Sequence, residues 1–132
     1  MATNKTPAVL VIEDENLHRE GLAYLLERAG YAISAVGSGE EAVAHLTVVP
    51  APDLILLDLK MPGMDGPEFR KIQLATAEWA SIPVIVVSGT PEIDELSRSM
   101  KVDGWVRKPL ILENFLTTVR MALAKRRARE VA

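Results

Sequence analysis

Short apolar segments alternate along the chain with longer segments in which apolar residues recur every three or four positions. Most of the apolar segments contain no polar residue, a pattern typical of strands that are covered on both faces in a parallel sheet. Charged residues, glycine or proline end these segments abruptly. We therefore predict five strands, at residues 8–12, 31–36, 53–58, 84–87 and 105–106.

Capping patterns mark the boundaries of the helices expected between and after these strands. The boundary residues are Gly30 after the first helix, Ser38 before the second, Asp65 before the third and Thr90, followed by Pro91, before the fourth. The third helix is expected over residues 67–78. The fifth carries its apolar residues on one face, and this gives five strands alternating with five helices.

Such an alternation implies right-handed crossovers between parallel strands. We therefore predict an α/β fold, a doubly wound five-stranded parallel sheet with helices on both faces. The length of 132 residues suits one domain. We expect a single domain over residues 1–132, with its core at about residues 8–125.

The composition narrows the class of protein. The chain has no cysteine, which removes disulfides and thiolate metal sites from consideration. A net charge of −3 argues against nucleic-acid binding by bulk electrostatics. No apolar run has the length of a membrane span and no signal-peptide pattern is present, so we expect a cytoplasmic domain without membrane insertion.

Chemically usable side chains follow four of the predicted strands. They are Glu13 and Asp14, Asp58, Ser88, and Lys108. Because the carboxyl ends of parallel strands share one edge of the sheet, these groups can converge there. Three carboxylates repel one another unless cations relieve them. Lys108 is one such cation, and Mg²⁺ suits an oxygen-only ligand set that leaves room for water.

This set of groups predicts a site for phosphoryl transfer. Asp58 would be the nucleophile and form an aspartyl-phosphate. Lys108 and Mg²⁺ would neutralise the phosphoryl oxygens, while the Ser88 hydroxyl would donate to one of them. The alternative is a surface Lys–Asp ion pair beside unrelated turn caps. Each residue alone fits that alternative, but four strand ends carrying such groups favour the site.

The residues resemble the receiver domain of two-component response regulators. The matching motifs are Val11-Ile12-Glu13-Asp14, the stretch from Leu56-Leu57-Asp58 to Met64-Asp65-Gly66, Val86-Val87-Ser88-Gly89, and Trp105-Val106-Arg107-Lys108-Pro109. The resemblance covers residues 8–125. It implies the flavodoxin-like strand order 2-1-3-4-5 and a signalling phosphoacceptor rather than an enzyme.

The resemblance also implies roles for individual residues. Asp14 and Asp58 would bind Mg²⁺ directly, together with the backbone carbonyl of Lys60, and Glu13 would hold a metal-bound water. A sensor histidine kinase or a histidine phosphotransfer protein would donate its phosphoryl group to Asp58. Lys108 would contact that group.

The response to phosphorylation would involve Ser88 and Trp105. Ser88 would move toward the phosphoryl group and the aromatic ring at position 105 would turn inward. This would change the face made by the fourth helix, the fifth strand and the fifth helix, which the family uses for partners. That face would control an output domain or a target protein, and a homodimer could form through it.

Several residues depart from the family's usual pattern. Glu13 stands where Asp is more common, Trp105 replaces Tyr or Phe, and Lys101 occupies a position where the family often ends a helix with glycine. His18 and His45 lie on predicted helices, and we expect both to be solvated and apart from the acidic cluster.

Two other functions remain open at this point. A Mg²⁺-dependent phosphohydrolase would share the chemistry of Asp58, and a pseudo-receiver would only dock a partner. The chain could be a stand-alone regulator or part of a hybrid kinase or transcription factor.

Overall fold

The computed structural model describes residues 5–131, so the residues 1–4 and 132 of the predicted domain lie outside it. Within that range, strands and helices alternate as predicted. The strands are β1 (Ala8–Ile12), β2 (Ala32–Val36), β3 (Leu54–Leu57), β4 (Val84–Ser88) and β5 (Gly104–Arg107). The helices are α1 (Asn16–Arg28), α2 (Gly39–Val48), α3 (Gly66–Ala75), α4 (Ile93–Met100) and α5 (Leu112–Val131).

The five strands form one sheet in the order β2-β1-β3-β4-β5, and every neighbouring pair is parallel. This confirms the predicted doubly wound fold and its strand order. The reversal of strand order lies between β1 and β3, which is where ligands bind in open α/β sheets. The carboxyl ends of both strands therefore border the expected site.

Two apolar layers cover the sheet, one on each face. Alternate residues of β1, such as Val9 and Val11, pack in the layer that contains Leu26 of α1 and Phe115 of α5. The residues between them pack in the other layer, with residues of α2, α3 and α4 that include Phe69. Because both faces of the central strands are buried, their sequences show continuous apolar runs rather than an alternation.

The predicted caps of α2 and α3 are confirmed. Ser38 Oγ accepts a hydrogen bond from the Glu41 backbone N–H at 3.0 Å, and Asp65 Oδ1 accepts one from Glu68 N–H at 3.0 Å. Gly30, with a φ of 100°, follows α1 in the left-handed conformation that glycine adopts easily.

The prediction for the end of α3 is wrong, because the helix stops at Ala75 rather than at residue 78. Thr76 turns the backbone to an extended conformation. The Gln73 side-chain amide then donates to the carbonyls of Trp79 and Ile82, at 2.9 and 3.0 Å. These bonds stabilise a turn in place of another helical turn.

The predicted cap of α4 is also wrong. The helix begins at Ile93, and Glu92 precedes it without a side-chain capping bond. Thr90 instead donates its hydroxyl to Glu92 Oε2 at 2.5 Å. At the other end of α4, Lys101 adopts a left-handed conformation with a φ of 55°, the conformation that a glycine would take more easily.

A glycine brings α3 against the end of β3. The Gly66 amide donates to the Leu59 carbonyl at 3.0 Å. A Cβ at this position would lie 2.5 Å from the Asp58 carbonyl oxygen, so no larger residue fits without moving the backbone. The close approach fixes the loop that carries Asp58.

Candidate metal and phosphoryl site

The sheet brings the predicted acidic residues together. Glu13 and Asp14 follow β1, and Asp58 follows β3. A hydrogen bond of 3.1 Å from the Asp58 N–H to the Ile12 carbonyl joins the ends of these two strands. One carboxylate oxygen from each of the three acids lies within 4.8 Å of the others. We call Glu13, Asp14, Asp58 and Lys108 the acidic edge.

Lys108 supplies the positive charge of the acidic edge. Its Nζ lies 2.5 Å from Glu13 Oε1, in an ion pair whose carboxylate side chain is only 2% exposed. In this structure Lys108 therefore forms its ion pair with Glu13. Arg19 orients the same loop, because its guanidinium donates to the Glu13 carbonyl at 3.0 Å and to the Asp14 carbonyl at 3.4 Å.

The two buried carboxyls of the acidic edge have opposite pKa shifts. Burial, and after it the neighbouring charge of Glu13, together raise the pKa of Asp58 to about 6. Burial also acts to raise the pKa of Glu13, but the hydrogen bond from Lys108 and the Glu15 N–H outweigh it and hold the pKa below its ordinary value. Glu13 is therefore the carboxylate that forms the ion pair with Lys108, while Lys108 offsets only part of the upward shift in the pKa of Asp58.

The donor set of this cluster fits a hard divalent cation. Three carboxylates offer oxygen ligands at the mouth of the sheet, and Mg²⁺ is bound in proteins by few carboxylates with part of its water retained. The raised pKa of Asp58 reflects burial first and the negative charge of Glu13 second, and a cation bound here would counter both. The contribution of the Lys60 carbonyl stays a prediction.

Ser88 lies at the end of β4 and is 2% exposed. Its Oγ accepts a hydrogen bond from the Thr90 N–H at 3.3 Å. The hydroxyl thus helps to shape the loop between β4 and α4, and its own hydrogen stays available to an acceptor at the acidic edge.

Trp105 is held toward α4 by a second group of charges. Its indole Nε1–H donates to Asp94 Oδ1 at 2.9 Å, and Arg107 pairs with Asp94 Oδ2 at 3.3 Å. The Arg98 guanidinium lies 5.6 Å from the centre of the indole ring. We call Asp94, Arg98, Trp105 and Arg107 the α4–β5 clasp. Sequence reasoning identified Trp105 but not the residues that hold it.

The clasp connects to the loop that follows Ser88. Arg107 also donates to the Thr90 carbonyl at 3.3 Å, and the Thr90 N–H is the group that Ser88 binds. A movement of this loop therefore strains the clasp.

The predicted exposure of His18 is confirmed, but the prediction that it lies apart from the acidic cluster is wrong, because it contacts the lysine that pairs with Glu13. Its Nδ1 lies 3.1 Å from Lys108 Nζ and 3.2 Å from Glu15 Oε2, although the side chain is 54% exposed. A usable signal was present, since a helix that begins at Asn16 places its first turn beside the end of β1. His45, on α2, is half-buried.

The fold and the acidic edge define a class, the flavodoxin-like domains that carry an acidic site at the carboxyl edge of the sheet. The family model of the response regulator receiver domain matches residues 9–120. The chain therefore belongs to the receiver domains of two-component response regulators, as the motifs predicted.

Similar proteins come from several bacteria. The sensory transduction protein RegX3 of Mycolicibacterium smegmatis is 34% identical over 120 residues, which are 89% of this chain and 51% of RegX3. The transcriptional regulatory protein PdtaR of Mycobacterium tuberculosis is 32% identical over 118 residues, 89% of this chain and 57% of PdtaR. The chain thus spans about half the length of these curated relatives.

Solved structures agree with this assignment. The signal receiver domain of a Syntrophus aciditrophicus histidine kinase has a TM-score of 0.83 and 30% identity, with 91% of this chain and 92% of that chain covered. The Vibrio cholerae chemotaxis protein CheY4 has a TM-score of 0.81 and 27% identity, with 89% and 99% covered.

Family membership establishes a role in two-component signalling. Receiver domains bind Mg²⁺ at an acidic pocket, and response regulators interact with histidine kinases and output domains. Among residues 5–131, no helix is long and apolar enough to span a bilayer.

Proposed function

We propose that Asp58 is the phosphoacceptor of this receiver domain. The observation that carries the proposal is its position: a buried carboxyl at the carboxyl end of β3, clustered with two further acids, one of which pairs with Lys108. An Asp58 oxygen attacks phosphorus, and the bond to the donor histidine nitrogen breaks. The donor imidazole leaves with the bonding electrons, and the product is an aspartyl-phosphate.

Mg²⁺ is the cofactor that this site would take. Asp14 and Asp58 would bind it directly with the Lys60 carbonyl, and Glu13 would hold a metal-bound water. The ion would neutralise charge on the transferred phosphoryl group. Its charge would also compete with Lys108 for Glu13, which frees the ammonium to contact phosphoryl oxygens. Ser88 would donate its hydroxyl to another of these oxygens.

The output follows from the path between Ser88 and the clasp. As Ser88 turns to the phosphoryl group, its bond to the Thr90 N–H breaks and the loop shifts. Arg107 then loses the Thr90 carbonyl, and Trp105 is released from Asp94 to turn inward. The partner face of α4, β5 and α5 changes, and an output domain, a target protein or a second copy of the chain reads that change.

The phosphoryl donor would be a sensor histidine kinase or a histidine phosphotransfer protein. The chain acts as a signalling phosphoacceptor that assists its own phosphorylation and dephosphorylation, and it forms a single receiver domain. Location in the cytoplasm stays a prediction.

Intact mass spectrometry with a small phosphodonor tests the proposal. Wild type should gain one phosphoryl group when Mg²⁺ is present and none in EDTA. Asp58→Asn should gain none, whereas Asp94→Asn, which alters a half-exposed acid of the clasp and leaves the acidic edge intact, should still gain one phosphoryl group. Undiminished incorporation in Asp58→Asn would refute the assignment.

A further inference from the structure

The ammonium of Lys108 has two partners in this structure. It contacts Glu13 Oε1 at 2.5 Å and His18 Nδ1 at 3.1 Å. A lysine ammonium carries three hydrogens and no acceptor. It can therefore donate to both partners at once, provided that Nδ1 of His18 holds a lone pair.

The same ring nitrogen also faces an acceptor. Glu15 Oε2 lies 3.2 Å from His18 Nδ1, and a carboxylate can only accept. Nδ1 therefore serves one neighbour at a time. With its lone pair it accepts from Lys108, and with a hydrogen it donates to Glu15. Which of the two neighbours the ring binds therefore depends on whether Nδ1 carries a hydrogen.

Among residues 5–131, Lys108 and Glu15 are the charged residues that contact the His18 ring. His18 belongs to the first turn of α1 and borders a groove of about 290 Å³ between α1 and the loop after β5. The other side chains of that groove, apart from Lys108, are apolar, with Leu22 and Leu110 among them. From the loop after β1, Glu13 faces Lys108, while Asp14 joins the carboxylate cluster. Lys108 and Glu15 thus compete for Nδ1.

We propose that His18 is a positioning residue for Lys108 in the phosphorylation reaction. The neutral ring holds the ammonium at the mouth of the site, from which it can reach a phosphoryl group on Asp58. A ring with a hydrogen on Nδ1 donates to Glu15 instead, and the ammonium is then left with Glu13 as its partner. This inference rests on the proposed function, because Lys108 acts only if Asp58 accepts the phosphoryl group.

The pH profile of phosphorylation tests this inference. Rates with a small phosphodonor and Mg²⁺ are measured for wild type, His18→Gln and His45→Gln. Glutamine keeps an oxygen that can accept from Lys108 but does not titrate. His45→Gln is the matched control, because the chain has two histidines and His45 lies on α2.

The informative quantity is the ratio of the wild-type rate to the His18→Gln rate, in which the donor's own pH dependence cancels. Between about pH 8 and about pH 5.5 the ratio should fall about tenfold or more, the size expected for losing one hydrogen bond to a charged group. His45→Gln should follow wild type. A ratio that stays constant or rises as the pH falls overturns the inference.

Nitrogen-15 spectra of the imidazole ring give a second readout that needs no phosphorylation. At about pH 8 His18 should carry its hydrogen on Nε2 and leave Nδ1 bare, whereas Lys108→Met should shift hydrogen toward Nδ1. A wild-type ring with hydrogen on Nδ1 overturns the inference even if phosphorylation is normal. Failure of wild type to accept a phosphoryl group at every pH overturns the proposed function itself.

Discussion

The acidic edge and the α4–β5 clasp both join acids to cations, but they differ in exposure. The Glu13 side chain is 2% exposed and its partner Lys108 19%. In the clasp, Arg107 and Asp94 are 49% and 50% exposed. Water and salt screen the charges of the clasp, so its ion pair contributes little to stability. At the acidic edge, removing one partner of the buried ion pair leaves a buried charge uncompensated and lowers the stability of the fold strongly.

This difference suits the two regions to different tasks. Unbalanced negative charge at the acidic edge favours binding a cation and a reacting group, at some cost in stability. The clasp orients an indole ring through contacts that break easily. A signalling domain needs both, a site with strong electrostatics and a surface with two accessible arrangements.

The largest effect should follow from removing the buried cation. Lys108→Met leaves the Glu13 carboxylate buried without its lysine, and we expect a loss of about 3 kcal/mol in the free energy of unfolding at neutral pH. Arg107→Met is the matched change in the exposed pair and should cost less than about 1 kcal/mol. Urea unfolding of both variants measures the difference, and equal losses would contradict the comparison.

Asp58→Asn should change the free energy of unfolding in the opposite direction, toward higher stability. Because burial and Glu13 raise the pKa of Asp58 to about 6, the native state binds a proton more tightly than the unfolded chain does. Stability then falls as the pH rises from about 4 to about 6 and stays lower above that window. Removing the charge should stabilise the metal-free protein by about 1–3 kcal/mol at pH 8.

Urea unfolding in EDTA at several pH values checks this prediction. The gain should be present above about pH 6, shrink as the pH falls toward about 4, and vanish below that, where Asp58 is protonated in both states. The lowered pKa of Glu13 acts in the other direction, since its stabilisation is lost only as the pH falls below the ordinary range of a carboxyl. A variant that is less stable than wild type at pH 8 would contradict the electrostatic account.

The smallest change in stability should come from the clasp. Asp94→Ala removes the acceptor of the Trp105 indole and should cost below about 1 kcal/mol. It should nevertheless alter the tryptophan emission, because the indole N–H of Trp105 loses the carboxylate that accepts its hydrogen bond.

A Trp79→Phe background isolates this signal, since the chain has two tryptophans. In that background, phosphorylation should change the emission less in Asp94→Ala than in the parent, because the ring is already free of Asp94 before phosphorylation. Identical spectra of the two proteins, with and without phosphodonor, would show that the clasp does not hold Trp105.

Local patterns in the sequence were sufficient to predict a parallel α/β sheet, whereas its strand order came from the resemblance to the receiver family. Uninterrupted apolar runs such as residues 54–57 can be buried on both faces only in the middle of a layered sheet, and the caps at Ser38 and Asp65 act within three residues. Where a local signal competed with a tertiary contact, prediction failed. Residues 76–78 continue the helical pattern, but Gln73 bonds to the carbonyls of Trp79 and Ile82 and stabilises a turn.

The sequence by itself determined which groups stand at the ends of the strands, because a strand that is buried on both faces must place its first polar residue at the sheet edge. This was enough to place Asp58 beside Glu13 and Asp14. The tertiary structure alone decided the partners of these groups. Lys108 contacts His18, 90 positions away in the sequence. Trp105 on β5 contacts Asp94 on α4, and this contact depends on how α4 packs beside β5. Side-chain contacts at such separations follow from how helices pack on the sheet, and local sequence patterns do not encode that packing.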